Sequence, residues 1–213
     1  GAKRVRDDLS RARQLLTLRD RVIVSIAPSF ASEFPGVPAE ALVAAIRRLG
    51  FFGVSETALG ADLVSSTIAS DFAAANGAPA GGGAAKLYLS SACPVAVEYV
   101  KRYMGDYAPY ITDRASPLLA HARFLRERYG QDIGVVFVGP CVAKKRESDV
   151  WKAADCAISF GDLRKWLADE GIALGGDGAS ARGDAGAARS VSGRSREDSA
   201  FIPFRAAKGS LYP

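Results

Sequence analysis

Ile133-Gly134-Val135-Val136-Phe137-Val138-Gly139-Pro140-Cys141-Val142-Ala143-Lys144 is the stretch on which the fold turns. Its first half carries no polar side chain and no apolar/polar alternation, the pattern of a strand covered on both faces in a parallel sheet. Gly139-Pro140 ends the run, and parallel neighbours require crossover helices. The spacing from Pro117 to Tyr129 supplies an amphipathic helix upstream. Downstream, Cys156-Ala157-Ile158-Ser159-Phe160 reads as another strand, followed by a helix from Asp162 to Glu170 with Asp162 as a first-turn acid.

Farther upstream the same alternation repeats. Arg21 to Ile26 is a strand, Ala27-Pro28-Ser29-Phe30 a loop, and Ala39 to Leu49 a helix closed by Gly50. Phe51 to Val54 gives a strand, Ala58 to Ala75 a helix, Lys86 to Ser90 a strand and Val95 to Tyr103 a helix. The class is therefore α/β, with mainly parallel sheets flanked by helices. The Gly/Ala/Pro-rich stretch from Asn76 to Ala85 divides it into two lobes, 20–80 and 86–174, with a ligand cleft expected between them. Residues 1–19 form a linker helix (Leu9, Ala12, Leu15, Leu16), and 175–213, rich in Gly, Ala, Ser and Arg, reads as a flexible segment.

Composition narrows the function. The 213 residues are 48% hydrophobic and 24% charged, enough for a sizeable core. The net charge of +5 comes from scattered arginines such as Arg47, Arg182 and Arg194, not from a basic helix interleaved with aromatics, so nucleic acid is not an expected partner. No apolar run approaches the roughly 18 residues that span a bilayer, and no signal-peptide core is present, so a cytoplasmic protein without a membrane partner is expected. Three well-separated cysteines do not make a disulfide framework.

Two of the cysteines share a setting. Ser90-Ser91-Ala92-Cys93-Pro94 and Gly139-Pro140-Cys141 each follow a strand and precede a helix, with a proline beside the thiol. In open α/β sheets, ligands gather beyond the carboxyl ends of the strands. A helix N-terminus favours the thiolate, the form that binds iron. The alternative is that each is a small buried hydrophobe; the shared setting favours metal ligation for Cys93 and Cys141. Cys156, inside a strand, reads as core.

These residues resemble the cluster-binding domain of the [FeFe]-hydrogenase family. Ser90 to Pro94 is similar to the family's Thr-Ser-Cys-Cys-Pro, Gly139 to Lys144 to its Met-Pro-Cys-x-x-Lys, and Ala115-Ser116-Pro117 to its Lys-Ser-Pro. Ile26 to Ser29 matches Val-Ala-Pro-Ser, Leu49-Gly50-Phe51 matches Leu-Gly-Phe, and Ala61-Asp62-Leu63 matches Ala-Asp-Leu. The likeness runs in order from Val22 to Leu174. It implies that Cys93 and Cys141 bind a [4Fe-4S] cluster whose other two ligands belong to a later Cys-x-x-x-Cys motif that this sequence does not contain. A diiron subsite with carbon monoxide, cyanide and a dithiolate bridge would hang from that later motif. Ala27, Pro28, Ser29 and Lys144 would surround its cyanides, and Ala92, Pro140 and Ser116 would stand at the matching cofactor-facing positions. With two of four ligands, isolation without metal is expected.

The departures bear on activity. Ala92 replaces the cysteine that relays protons in the prototypical enzymes, and Val64-Ser65-Ser66-Thr67 replaces a Met-Glu-Glu stretch. Hydroxyls titrate too far from neutrality to relay protons as carboxylates do. Only Ser116 remains of that route, so no residue is assigned a catalytic role. The exchange at Ala92 is similar to that of a sensory branch of the family, which implies ferredoxin-like domains and a PAS or kinase/phosphatase output module as partners. Gly1-Ala2-Lys3-Arg4 looks like the end of a ferredoxin motif. Three functions follow: a sensory or regulatory cluster domain with weak turnover, a slow genuine hydrogenase, or a non-catalytic iron–sulfur scaffold. His121 reads as structural or solvated, Trp151 and Trp166 as packing residues, and Gly81 to Lys86 lacks the Ser/Thr and helix of a phosphate loop.

Overall fold

The computed structural model describes residues 5–76 and 87–174. Residues 77–85 of the expected loop, the expected flexible tail 175–213, the ferredoxin-like start Gly1 to Arg4 and the run Gly81 to Lys86 lie outside them, whereas Asn76 ends a helix. In chain order the elements are α1 (Leu9–Leu18), β1 (Val22–Ile26), α2 (Phe30–Glu33), α3 (Ala39–Arg48), β2 (Gly53–Glu56), α4 (Ala58–Asn76), α5 (Pro94–Tyr103), a 3-10 helix (Gly105–Tyr110), α6 (Pro117–Tyr129), β3 (Gly134–Val138), α7 (Ala143–Trp151), β4 (Cys156–Ile158) and α8 (Phe160–Asp169).

The four strands form a wholly parallel sheet in the order β2-β1-β3-β4. Val24 sits between Val54 and Val136, and Val136 continues the row to Cys156. Every residue of β1 and β3 is buried, as the unbroken apolar run at 133–138 requires of a central strand. Alternation sends Val22 and Ser25 to opposite faces. Helix α1 covers the first face, with Leu15 beside Gly134 and Val22. Helix α6 covers the second, with His121 bonded to Ser25. The α/β class with parallel strands and flanking helices thus holds.

Several local expectations change. Among the described residues there is one sheet, not one per lobe: β1 and β2 from the range 20–80 are knitted to β3 and β4 from 86–174. Strand order in a parallel sheet is set by how the crossovers pack, which strand sequences do not record. The strand expected at Lys86 to Ser90 is reduced to a single parallel bridge, Leu89 to Ile111. Helix α1 is more than a linker, because Leu9 and Ala12 are buried in the common core. Trp166 packs edge-on against Phe51 as expected, whereas Trp151 is 62% exposed at the end of α7.

Two contacts draw the helices tight. Gly60 opens α4 against α6; a Cβ there would stand 2.1 Å from the Pro117 carbonyl oxygen. Ser159 caps α8 in a reciprocal box, accepting from the Asp162 N–H while Asp162 accepts from the Ser159 N–H, which gives the first-turn acid its role. No described helix is long and apolar enough to cross a membrane.

Candidate metal centre

Parallel strands end on one edge of the sheet, and two of the loops that leave that edge carry Ala27-Pro28-Ser29 and Pro140-Cys141. Beyond β1 comes Ala27-Pro28-Ser29; the Ala27 N–H donates to the Val138 carbonyl at 2.8 Å, which ties this loop to the end of β3. Beyond β3, Gly139 has no Cβ for good reason, since one would lie 2.8 Å from the Ala27 Cβ and 2.6 Å from the Phe137 ring. The two loops therefore leave the sheet in contact, Ala27 buried, Pro28, Ser29 and Pro140 exposed. Cys141 follows, an exposed free thiol just before the first turn of α7.

Cys93 is the N-cap residue of α5, with Pro94 in the first helical turn. Its backbone is extended and its side chain caps no N–H, so the exposed sulfur is uncommitted to the helix. The preceding loop is fixed to the approach to α6. The Ser91 N–H donates to Thr112 Oγ1 at 3.1 Å, and Ser91 Oγ donates to the Arg114 carbonyl at 2.7 Å. Two residues on, the buried Ser116 accepts from the Leu119 N–H at 3.4 Å and caps α6. Ser116 thus stands beside the Cys93 loop with its hydroxyl engaged as a helix cap.

Lys144 joins the two cysteine loops. From the first turn of α7 its Nζ donates to the carbonyl of Ala92 at 3.4 Å and to Glu147 Oε2 at 2.7 Å. Both side chains are largely withdrawn from solvent, 12% exposed for Lys144 and 5% for Glu147. Read alone, Lys144 would be a solvated charge; the structure makes it a bridge between α7 and the residue before Cys93. Glu147 was missed in the sequence. Its only signal is the i,i+3 spacing from Lys144, which ordinarily marks a surface pair. A cleft of about 300 Å³ lies between α5 and α7, with Pro94, Val95 and Glu147 in its walls.

The remaining candidates are core residues. Burial pushes the Cys156 thiol up to about 12, so it stays protonated and offers no ligand. His121 is fully buried; its Nδ1 meets Ser25 Oγ at 2.8 Å and its Nε2 meets Ser55 Oγ at 2.9 Å, while Ser25 continues to Thr57 at 2.8 Å. Burial lowers its pKa to about 4, so the ring is neutral and serves as a polar tie between β1, β2 and α6.

Among the described residues no three His, Cys, Asp or Glu side chains converge as a metal site. Instead there are two exposed thiols, Cys93 and Cys141, on loops that the sheltered Lys144 ammonium connects through the Ala92 carbonyl. That donor set suits an anionic thiolate-bound iron–sulfur group, which takes soft sulfur ligands and gains from a nearby cation.

Comparison with known proteins agrees with this chemistry. Over 104 residues the chain is 34% identical to the cytosolic Fe-S cluster assembly factor NAR1 of Mycosarcoma maydis, an alignment covering 38% of this chain and 13% of that protein. A solved [FeFe]-hydrogenase, studied for oxygen inactivation through modification and degradation of the 2Fe subcluster of its H cluster, superposes with a TM-score of 0.64 at 24% identity. The match covers 79% of this chain and 49% of that one, and shows a shared fold. The chain spans less than half the length of either protein. Residues 20–196 match the family model for the iron-only hydrogenase large subunit, C-terminal domain, and the chain belongs to that family.

Proposed function

We propose that this chain is the cysteine-bearing part of a [FeFe]-hydrogenase-like cluster domain with a sensory or regulatory role and little hydrogen turnover. Cys93 and Cys141 are thiolate ligands of a [4Fe-4S] cluster, and the other ligands come from outside this sequence. Ala27, Pro28, Ser29, Ala92, Pro140 and Ser116 border the group, and the Lys144 ammonium offsets its negative charge. When bound, such a cluster supplies one-electron transfer, and in the full-length protein a diiron subsite accompanies it. Ferredoxin-like domains deliver electrons, and a PAS or kinase/phosphatase module reads the outcome.

The supporting observation is the meeting of the two cysteine loops through Lys144 and the Ala92 carbonyl. A methyl group at Ala92 moves no proton, and the hydroxyl of Ser116 is occupied as a helix cap, which argues for weak turnover. Anaerobic reconstitution with ferrous iron, sulfide and a small thiol tests the ligand assignment. Bound iron is expected in the wild-type chain and should be lost in C93S and C141S; retention in both variants refutes it.

The likeness to an iron–sulfur assembly factor favours a second reading, a scaffold that carries a cluster but no diiron subsite. Infrared spectra of the full-length protein matured in cells separate the two. Carbon monoxide and cyanide stretches support the first; a cluster without them supports the scaffold.

A further inference from the structure

Helix α7 presents three consecutive cations, and each has a different acid. Lys145, 7% exposed, turns toward the chain start, where it contacts Asp8 at 3.4 Å and Asp162 at 3.3 Å. Arg146, 73% exposed, makes a loose 3.8 Å contact with Glu98 on α5. Lys144 alone points to the cysteine edge, and its acid is Glu147, one turn later on the same helix and almost wholly buried.

A lysine ammonium rides on a four-carbon stem with many rotamers, and it prefers water unless something holds it. The Ala92 carbonyl is a weak hold, a neutral acceptor at 3.4 Å. Glu147 at 2.7 Å is the strong one, a charge-assisted bond in a sheltered place. Its carboxylate gains no visible benefit from Arg146, which pairs elsewhere, and a surface-type i,i+3 pair would not need burial. Burying both partners is costly unless the geometry is good, and what it provides here is a fixed direction for the ammonium.

We propose that Glu147 is a positioning residue: its carboxylate pins the Lys144 ammonium against the carbonyl preceding Cys93, and so holds the cation between the two cysteine loops where it retains the cluster. The inference rests on the cluster-binding reading above.

Two measurements on the full 213-residue chain test it. In the metal-free protein, acetic anhydride labelling of Lys144 is followed by peptide mass spectrometry. Glu147→Ala and Glu147→Asp, the latter keeping the charge but shortening the reach, should raise the labelling rate about tenfold, the scale of losing one charge-assisted hydrogen bond, while Glu147→Gln stays within about threefold of wild type. After reconstitution with ferrous iron and sulfide, iron retained on desalting should fall in Glu147→Ala to the level of Lys144→Ala, with no further loss in the double variant. Unchanged labelling, wild-type iron retention in Glu147→Ala and Glu147→Asp, or a further loss in the double variant each overturns the proposal; the last would mean that Glu147 acts without Lys144. Failure of the cluster reading shows separately, as equal iron in wild type and in C93S and C141S, whatever the labelling rates.

Discussion

His121 is the residue whose chemistry reaches farthest from its position. It is neutral, fully buried and bonded through both ring nitrogens, with a pKa lowered to about 4 against an unfolded value of 6.5. As the pH falls below 6.5 the unfolded chain takes up a proton that the folded one refuses, so stability is lost between 6.5 and about 4 and then levels off. The shift corresponds to about 3 kcal/mol. Urea midpoints measured across this interval should decline in the wild type and much less in His121→Gln; parallel curves would show that the ring is not the titrating group. A lone histidine on an amphipathic helix said nothing of this, because its partners Ser25 and Ser55 come from strands far away in sequence. Cys93 and Cys141 stood out for the opposite reason: each has a proline beside it and a helix after it in its own stretch of sequence. Glu147 stayed hidden because its burial depends on α5 closing over α7, a tertiary event.

At the scale of elements, the loop after β1 and the loop after β3 leave the sheet in contact only because position 139 has no side chain. Gly139→Ala sets a new methyl against Ala27 and the Phe137 ring, and the Ala27 methyl is fixed to backbone and cannot swing aside. A destabilisation of about 2 kcal/mol is expected. Iron retention should fall as well, since Cys141 lies two residues on; a variant with wild-type urea midpoint and wild-type iron would contradict the crowding described here. The alternation around the four sheet strands was readable, since those strands and their longer helices carry their own sequence pattern, whereas α2 and the 3-10 helix were too short to show one. The 86–90 segment misled because Leu87-Tyr88-Leu89 has strand composition, yet among its described residues the strand pairing is confined to the bridge from Leu89 to Ile111. Trp151 misled because tryptophan usually packs, whereas here it sits on the outward end of α7.

On the scale of the whole molecule, charges fasten the chain start to the helix that carries the second cysteine loop. Asp8, with no exposed side chain, contacts Arg6 at 2.8 Å, Arg11 at 3.2 Å and Lys145 at 3.4 Å, and Asp149 pairs with both arginines. Asp8→Asn should cost about 3 kcal/mol, because it takes one carboxylate from the buried Lys145 ammonium, and calorimetry should show the loss diminished in a Lys145→Met background. No difference between the two backgrounds would exclude coupling through Lys145. One sheet draws its strands from both sides of the 76–85 stretch, and nothing in any strand names its neighbour. That interleaving governs how the chain is made. Val22 finds its partner in Gly134, more than one hundred residues later. A nascent polypeptide emerging from the ribosome must therefore carry the apolar edge of β1 unmatched until β3 has been translated, so synthesis passes through a long interval of exposed apolar surface before the sheet can close.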